Sequence, residues 1–109
     1  MTLEAERASA VLGALADPVR LRILGVVADA GRCVCDIRTE VPIAANVLSY
    51  HLRVLREAGL IEGRRRGRWI DYHLGADAAA LVATALHHAG FDATIAQRAG
   101  CADRCEAVS

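Results

Sequence analysis

Residues 44–74 constrain this chain more than any other stretch, because an amphipathic helical pattern stopped by one glycine runs directly into two strand-like segments joined through another. Leu48, Leu52 and Leu55 fall within ~60° of arc at ~100° per residue, so they face a core. The opposite side carries Asn46, Ser49, Tyr50 and Arg53, which are hydrogen-bonding side chains rather than packing residues. Gly59 ends that helix. Residues 60–64 and 68–74 then read as strands, the second alternating Ile70, Tyr72 and Leu74 against Trp69, Asp71 and His73. Gly67 predicts a hairpin whose tip is Arg65, Arg66 and Gly67.

The punctuation elsewhere places four further helices. Residues 3–16 carry apolar positions at helical spacing: Leu3, Ala8, Val11, Leu12 and Leu15. Asp17 followed by Pro18 reads as an N-cap with proline at the first helical position, where its missing N–H is no loss. The helix it opens should cover residues 18–29, with Leu21, Leu24 and Val27 or Ala28 inward and Gly31 just past its end. Asp36 can cap a short third helix over residues 37–40, which Pro42 closes. A last helix, capped by Asp77 and ended by Gly90, spans residues 78–89 with Leu81, Val82, Ala85 and Leu86 as its apolar stripe.

Two short helices joined by a tight turn, then a hairpin with an arginine tip, form a winged helix-turn-helix. The fold class is therefore mainly α, in the order α-α-α-α-β-β-α. Residues 1–90 form one DNA-binding and dimerisation domain, and residues 91–109 a tail carrying Cys101 and Cys105. A chain of 109 residues buries its apolar surface inefficiently alone, so a homodimer is expected.

Formal net charge is zero, so only the distribution of charge is informative. All 13 basic residues are arginine, and six of them (53, 56, 64, 65, 66 and 68) lie within sixteen residues against only Glu57 and Glu62. DNA recognition needs a polar helix face that enters the ~12 Å major groove and flanking cations for phosphates. Asn46, Ser49, Tyr50 and Arg53 suit the first role; Arg64, Arg65, Arg66 and Arg68 suit the second. His51, at the edge of the helix's core face, is either a packing residue or a phosphate contact. The partner implied is double-stranded DNA. The longest aliphatic run, residues 23–28, is far short of the ~20 residues that span a bilayer, and no secretory pattern opens the chain. A cytoplasmic protein with no membrane partner is expected. No Ser/His/Asp, Cys/His or phosphate-loop pattern is present, and histidines 51, 73, 87 and 88 lack a nucleophile, so the reading is not an enzyme.

Here the sequence resembles the ArsR/SmtB family of metal-sensing transcriptional repressors. The segments that carry the resemblance are LADPVRLRIL (15–24), CVCDI (33–37), LSYHLRVLREAGLI (48–61) and GRRRGRWIDYHL (63–74). The resemblance implies a homodimer built on the first and last helices, an operator that is an imperfect inverted repeat, and release of DNA on binding an inducing metal. Zinc-type members carry Asp-x-His at the start of the last helix and a second pair near its end. Here Ala79 stands where the histidine would be, and Gly90 and Ala93 stand at the later pair. The adjacent His87 and His88 point ~100° apart and do not chelate together within a helix.

CVCDI instead matches the arsenic and cadmium/lead branches. The arsenic-type pattern places a third thiol three residues after the second, where this chain has Arg38. Two sulfurs cannot complete a three-sulfur pyramid, so the missing ligand should come from Cys101 or Cys105, the only other thiols. Soft thiolates select thiophilic ions, and in a reducing cytosol four cysteines are not structural disulfides. The expected inducer is As(III) or Sb(III) on Cys33, Cys35 and one tail cysteine. Two rivals are a Cd(II)/Pb(II) repressor using all four thiolates and a thiol redox switch. Residues i and i+2 point ~200° apart in a helix but the same way in extended chain. Cys33 and Cys35 can therefore share an ion only where the backbone is not helical, which fits a position before a cap at Asp36. If the segment is helical without ligand, binding must unwind it.

Overall fold

The structure, a computed structural model, describes residues 3–91. Eight elements follow in order: α1 (Leu3–Leu15), α2 (Pro18–Asp29), β1 (Arg32–Cys33), α3 (Val34–Glu40), α4 (Ala45–Glu57), β2 (Ile61–Arg66), β3 (Trp69–Leu74) and α5 (Ala78–His88). The mainly helical winged helix-turn-helix expected from the sequence is present, with one strand more than expected. No described helix is long and apolar enough to cross a membrane.

Local chemistry sets most of the boundaries. The Asp17 carboxylate accepts from the Val19 and Arg20 amides at 2.9 and 3.0 Å, capping α2 as expected, with Pro18 at its start. Backbone hydrogen bonds from Gly59 to the Arg56 carbonyl and from Leu60 to the Leu55 carbonyl, each 3.0 Å, close α4. The core is assembled from Val11 and Ala14 of α1, Ile23 and Val27 of α2, Ile37 of α3, Leu48, Leu52 and Leu55 of α4, and Leu60, Ile61 and Tyr72 around the hairpin. The α4 stripe is the one anticipated. In α2 the buried pair is Ile23 and Val27, one turn apart, while Leu21 is 54% exposed and Leu24 only half-buried. Val27 is inward as expected and Leu24 packs against the core, while Ile23 takes the place expected for Leu21, because the neighbours packed on that helix select among its several apolar positions. Leu3 and Leu86 are also exposed, although α1 and α5 pack against each other.

The sheet is three-stranded and antiparallel in the order β1-β3-β2. Arg66 pairs with Trp69, so the turn residues are Gly67 and Arg68, one step beyond the tip read from the sequence. Gly67 has φ +62° and Arg68 has no positive φ, the pattern of a type II′ turn, in which glycine takes the first central position. Alternation along β3 does not translate into a clean inner face: Tyr72 is buried, whereas Ile70 and Leu74 are 43% and 40% exposed.

The unexpected strand β1 sets Arg32 opposite Tyr72 and Cys33 opposite Asp71. Gly31 permits this approach, since a Cβ there would collide with the His73 ring on β3. Its role is close strand packing rather than helix termination. Two residues cannot announce a strand by alternation, which is why β1 is invisible in the sequence. With β1 in place, α3 begins at Val34, three residues earlier than anticipated, and its N-cap is Cys33 rather than Asp36. Asp77 precedes α5 but makes no side-chain capping bond.

Candidate nucleic-acid interface

The outer face of α4 is exposed over Asn46, Ser49, Tyr50 and Arg53, all four residues expected there. The Arg53 guanidinium carbon lies 5.9 Å from the centre of the Tyr50 ring, a cation–π distance that couples the cation to the aromatic face. Val47 belongs to the same face, 41% exposed, and was missed because an aliphatic residue in an amphipathic helix reads as core. His51 departs from the other four: it is buried at 8% exposure, with Nδ1 3.1 Å from an Arg20 guanidinium nitrogen.

The hairpin presents its arginines in two states. Arg66 holds the Asp71 carboxylate at both oxygens, Nε to Oδ2 at 2.6 Å and NH2 to Oδ1 at 3.1 Å. Arg64 holds Glu62 at 2.6 Å. Hydrogen bonding from Arg66, reinforced by its charge, keeps the Asp71 carboxyl below the ordinary aspartate range. Glu62 is lowered in the same way, first by its hydrogen bond from Arg64. The Arg66 guanidinium is raised, chiefly by the Asp71 hydrogen bond and charge, with smaller contributions from Cys33 and Asp36. Arg65 and Arg68 have no ion-pair partner among the described residues, which leaves both cations available to a polyanion. Trp69, 48% exposed beside the turn, adds a flat apolar surface that was read only as one side of a strand.

The thiols Cys33 and Cys35 flank the boundary between sheet and helix. Cys33 is half-buried, extended at φ −77° and ψ 168°, and held in register with Asp71. Cys35 is exposed and helical, in the first turn of α3, where Thr39 donates to its carbonyl at 3.1 Å. The expectation of non-helical backbone at both thiols therefore holds for Cys33 alone. The pairing of β1 with β3 starts the helix early and puts the second thiol inside it. Among the described residues no group of three His, Cys, Asp or Glu side chains converges to hold a metal ion. Cys101 and Cys105 lie outside the described residues. The donor set in view is thus two thiols, chemically suited to a thiophilic ion and short of a complete shell.

A helix with a polar, aromatic and cationic outer face, set beside a hairpin with exposed arginines, defines a winged helix-turn-helix DNA-binding protein. The profile of a helix-turn-helix domain matches residues 15–64. The arsenical resistance operon repressor of Escherichia coli is 41% identical over 61 residues, which cover 55% of this chain and 52% of that protein. The transcriptional repressor SmtB of Mycobacterium tuberculosis is 36% identical over 89 residues, 81% of this chain and 66% of that one. The chain thus spans between about half and two thirds of these relatives' lengths. A solved homodimeric winged helix-turn-helix DNA-binding domain from Mycobacterium bovis, described as a possible ArsR-family transcriptional regulator, is 34% identical. It superposes with a TM-score of 0.64 over 78% of this chain and 80% of that one. This chain belongs to the ArsR/SmtB family, whose members are DNA-binding transcriptional regulators and not enzymes.

Proposed function

We propose that this protein is a homodimeric repressor, acting in the cytoplasm, that binds an imperfect inverted repeat in double-stranded operator DNA and releases it on binding As(III) or Sb(III). Residues 1–90 bind DNA and dimerise, and the tail over residues 91–109 supplies one sulfur. Cys33, Cys35 and either Cys101 or Cys105 hold the ion as thiolates. Asn46, Ser49, Tyr50 and Arg53 read the major groove, while Arg64, Arg65, Arg66 and Arg68 contact phosphates. Burial favours a supporting position for His51 over a direct contact.

The observation that carries this reading is the placement of Cys33. It is paired with Asp71 on the wing strand and is also the residue from which α3, the first helix of the DNA-reading unit, begins. An ion drawing Cys33 and Cys35 towards a common tail sulfur has to bring an extended residue and a helical one onto one side. The first turn of α3 opens and the pairing of β1 with β3 is strained. Both parts of the DNA-binding surface then leave the geometry that fits the duplex. Coupling of this kind is typically ~1–3 kcal/mol and reciprocal, so operator DNA weakens arsenite binding by the same factor.

A gel-shift titration of operator DNA under reductant, with arsenite, antimonite, cadmium, lead and zinc in turn, tests the proposal. Release by arsenite and antimonite is expected, and it should survive loss of one of Cys101 and Cys105 but not of both. Release by cadmium or lead that fails on losing either tail cysteine would instead assign a four-thiolate site. Release by peroxide with no response to arsenite would assign a redox switch. Introducing Arg38→Cys into the variant lacking both tail cysteines should restore arsenite release, because it returns a third thiol to the segment.

A further inference from the structure

A partly buried polar contact runs behind the DNA-facing helix. The Arg20 guanidinium reaches three acceptors: Nε donates to the Ala14 carbonyl at 2.8 Å, NH2 to the Gly13 carbonyl at 3.3 Å, and NH1 faces His51 Nδ1 at 3.1 Å. The two carbonyls belong to the C-terminal turn of α1, where helical oxygens run out of i+4 amides; the Gly13 carbonyl also accepts from the Ala16 amide at 3.1 Å. Arg20 is itself fixed on α2, its amide donating to the capping carboxylate of Asp17 at 3.0 Å. On the far side, the His51 and Tyr50 rings meet edge-on, 5.4 Å between centres at 63°, and Tyr50 lies beneath the Arg53 guanidinium. Contact is continuous from the end of α1, through Arg20 and His51, to two of the side chains assigned to DNA.

The chemistry of the contact fixes a proton. A guanidinium only donates, so His51 Nδ1 must accept, and the ring hydrogen of that tautomer sits on Nε2. The direction of the bond matters as much as its existence. Leu48, Leu52 and Leu55 hold α4 by burial, which is non-directional and tolerates small rolls of a helix about its axis. A hydrogen bond weakens steeply when misaligned, so it penalises those rolls.

We propose that Arg20 and His51 are positioning residues that set the roll of α4 against α1 and thereby aim Tyr50 and Arg53 at the base edges. This rests on the assignment of the outer face of α4 to DNA. The distinction from a structural role is that aim affects sequence reading, whereas attraction to phosphates is indifferent to it.

The test uses the full chain and a duplex selected from a random library by the wild-type protein, with a random-sequence duplex at low salt as reference. Long-range nitrogen–proton NMR of the wild type should show His51 protonated at Nε2 with Nδ1 as acceptor. His51→Leu should weaken the selected duplex about tenfold, the scale of a misplaced base contact, with a change of less than about twofold on the reference duplex. His51→Asn, whose side-chain oxygen can occupy the Nδ1 position, should recover most of that loss. His51→Gln, which reaches the Nε2 position instead, should not. If His51→Leu does not fold, the asparagine and glutamine variants decide, and equal binding by the two overturns the proposal. So does a proton found on Nδ1, or equal loss on both duplexes. Arg53→Ala separates the two levels: if it weakens the selected duplex while His51→Leu does not, only the positioning role falls. If Arg53→Ala binds like wild type, the surface assignment falls and the positioning role with it.

Discussion

Arg20 and Arg66 are both arginines that tie one element to another, yet they do so in opposite environments. Arg20 is half-buried and binds the uncharged ends of α1 and an imidazole. Arg66 has 64% of its side chain in solvent and binds a carboxylate on the neighbouring strand. A hydrogen bond to a buried ring such as His51 is hard to replace, because water has little access to the group left behind. An exposed ion pair is screened by salt and readily exchanges partners, since solvent or another anion substitutes for the carboxylate. The contrast assigns the first contact to holding shape and makes the second a reserve of positive charge that phosphate can claim from Asp71.

The largest expected effect tests whether that contrast is real. Arg20→Met removes the donor from two carbonyls and the His51 ring and should destabilise the protein by ~1–3 kcal/mol in urea unfolding. Arg66→Ala should leave the same midpoint unchanged within error. Equal losses would erase the distinction. Next, the double variant Arg65→Ala/Arg68→Ala removes the two wing cations that stand outside the ion pairs described above. The slope of log affinity against log salt should fall by ~0.9 for each phosphate that is no longer neutralised, measured by fluorescence anisotropy. A slope identical to wild type would take the wing off the DNA.

Asp71→Asn is a smaller perturbation that sharpens the comparison. It frees Arg66, so affinity for random-sequence DNA at low salt should rise by about twofold, the effect of one added charge near the backbone. A fall in affinity would mean that the ion pair orders the wing more than it neutralises it. The smallest effect concerns pH. Asp71 and Glu62 are both depressed in the fold by their arginines. A depressed carboxyl contributes stability above its unfolded value and loses that contribution as pH falls through the folded one. The wing pairs are therefore intact at neutral pH and dissolve only in acid, below the ordinary carboxylate range. Carbon NMR of the two carboxyls should show midpoints below the ordinary aspartate and glutamate values; midpoints at those ordinary values would remove the pairing.

Much of the fold was readable in advance because the relevant signals act within one turn of helix. The Asp17 cap, the Leu48, Leu52 and Leu55 stripe and the polar face of α4 all depend on spacings of two to four residues. The same locality explains the misses. Which apolar residues of α2 turn inward depends on what packs there, so Ile23 displaced Leu21. The hairpin turn lay one residue beyond its expected place because an arginine run carries no alternation to mark the register. Val47 and Arg20 were overlooked for one reason: an aliphatic residue on a helix suggests core and an arginine suggests surface, and each does the reverse of its usual work here.

The candidate site divides along the same line. That Cys33 and Cys35 stand one residue apart and that arginine accumulates between residues 53 and 68 are properties of the chain alone. No spacing rule could reveal that Cys33 would be stitched to Asp71, that this would draw Cys35 into a helix, or that His51 would be buried against Arg20. Those outcomes join residues 31 to 38 positions apart. Periodicity and capping report the free energy of neighbours along the chain, whereas strand register and buried hydrogen bonds are settled only when separate elements meet and exclude water from between them.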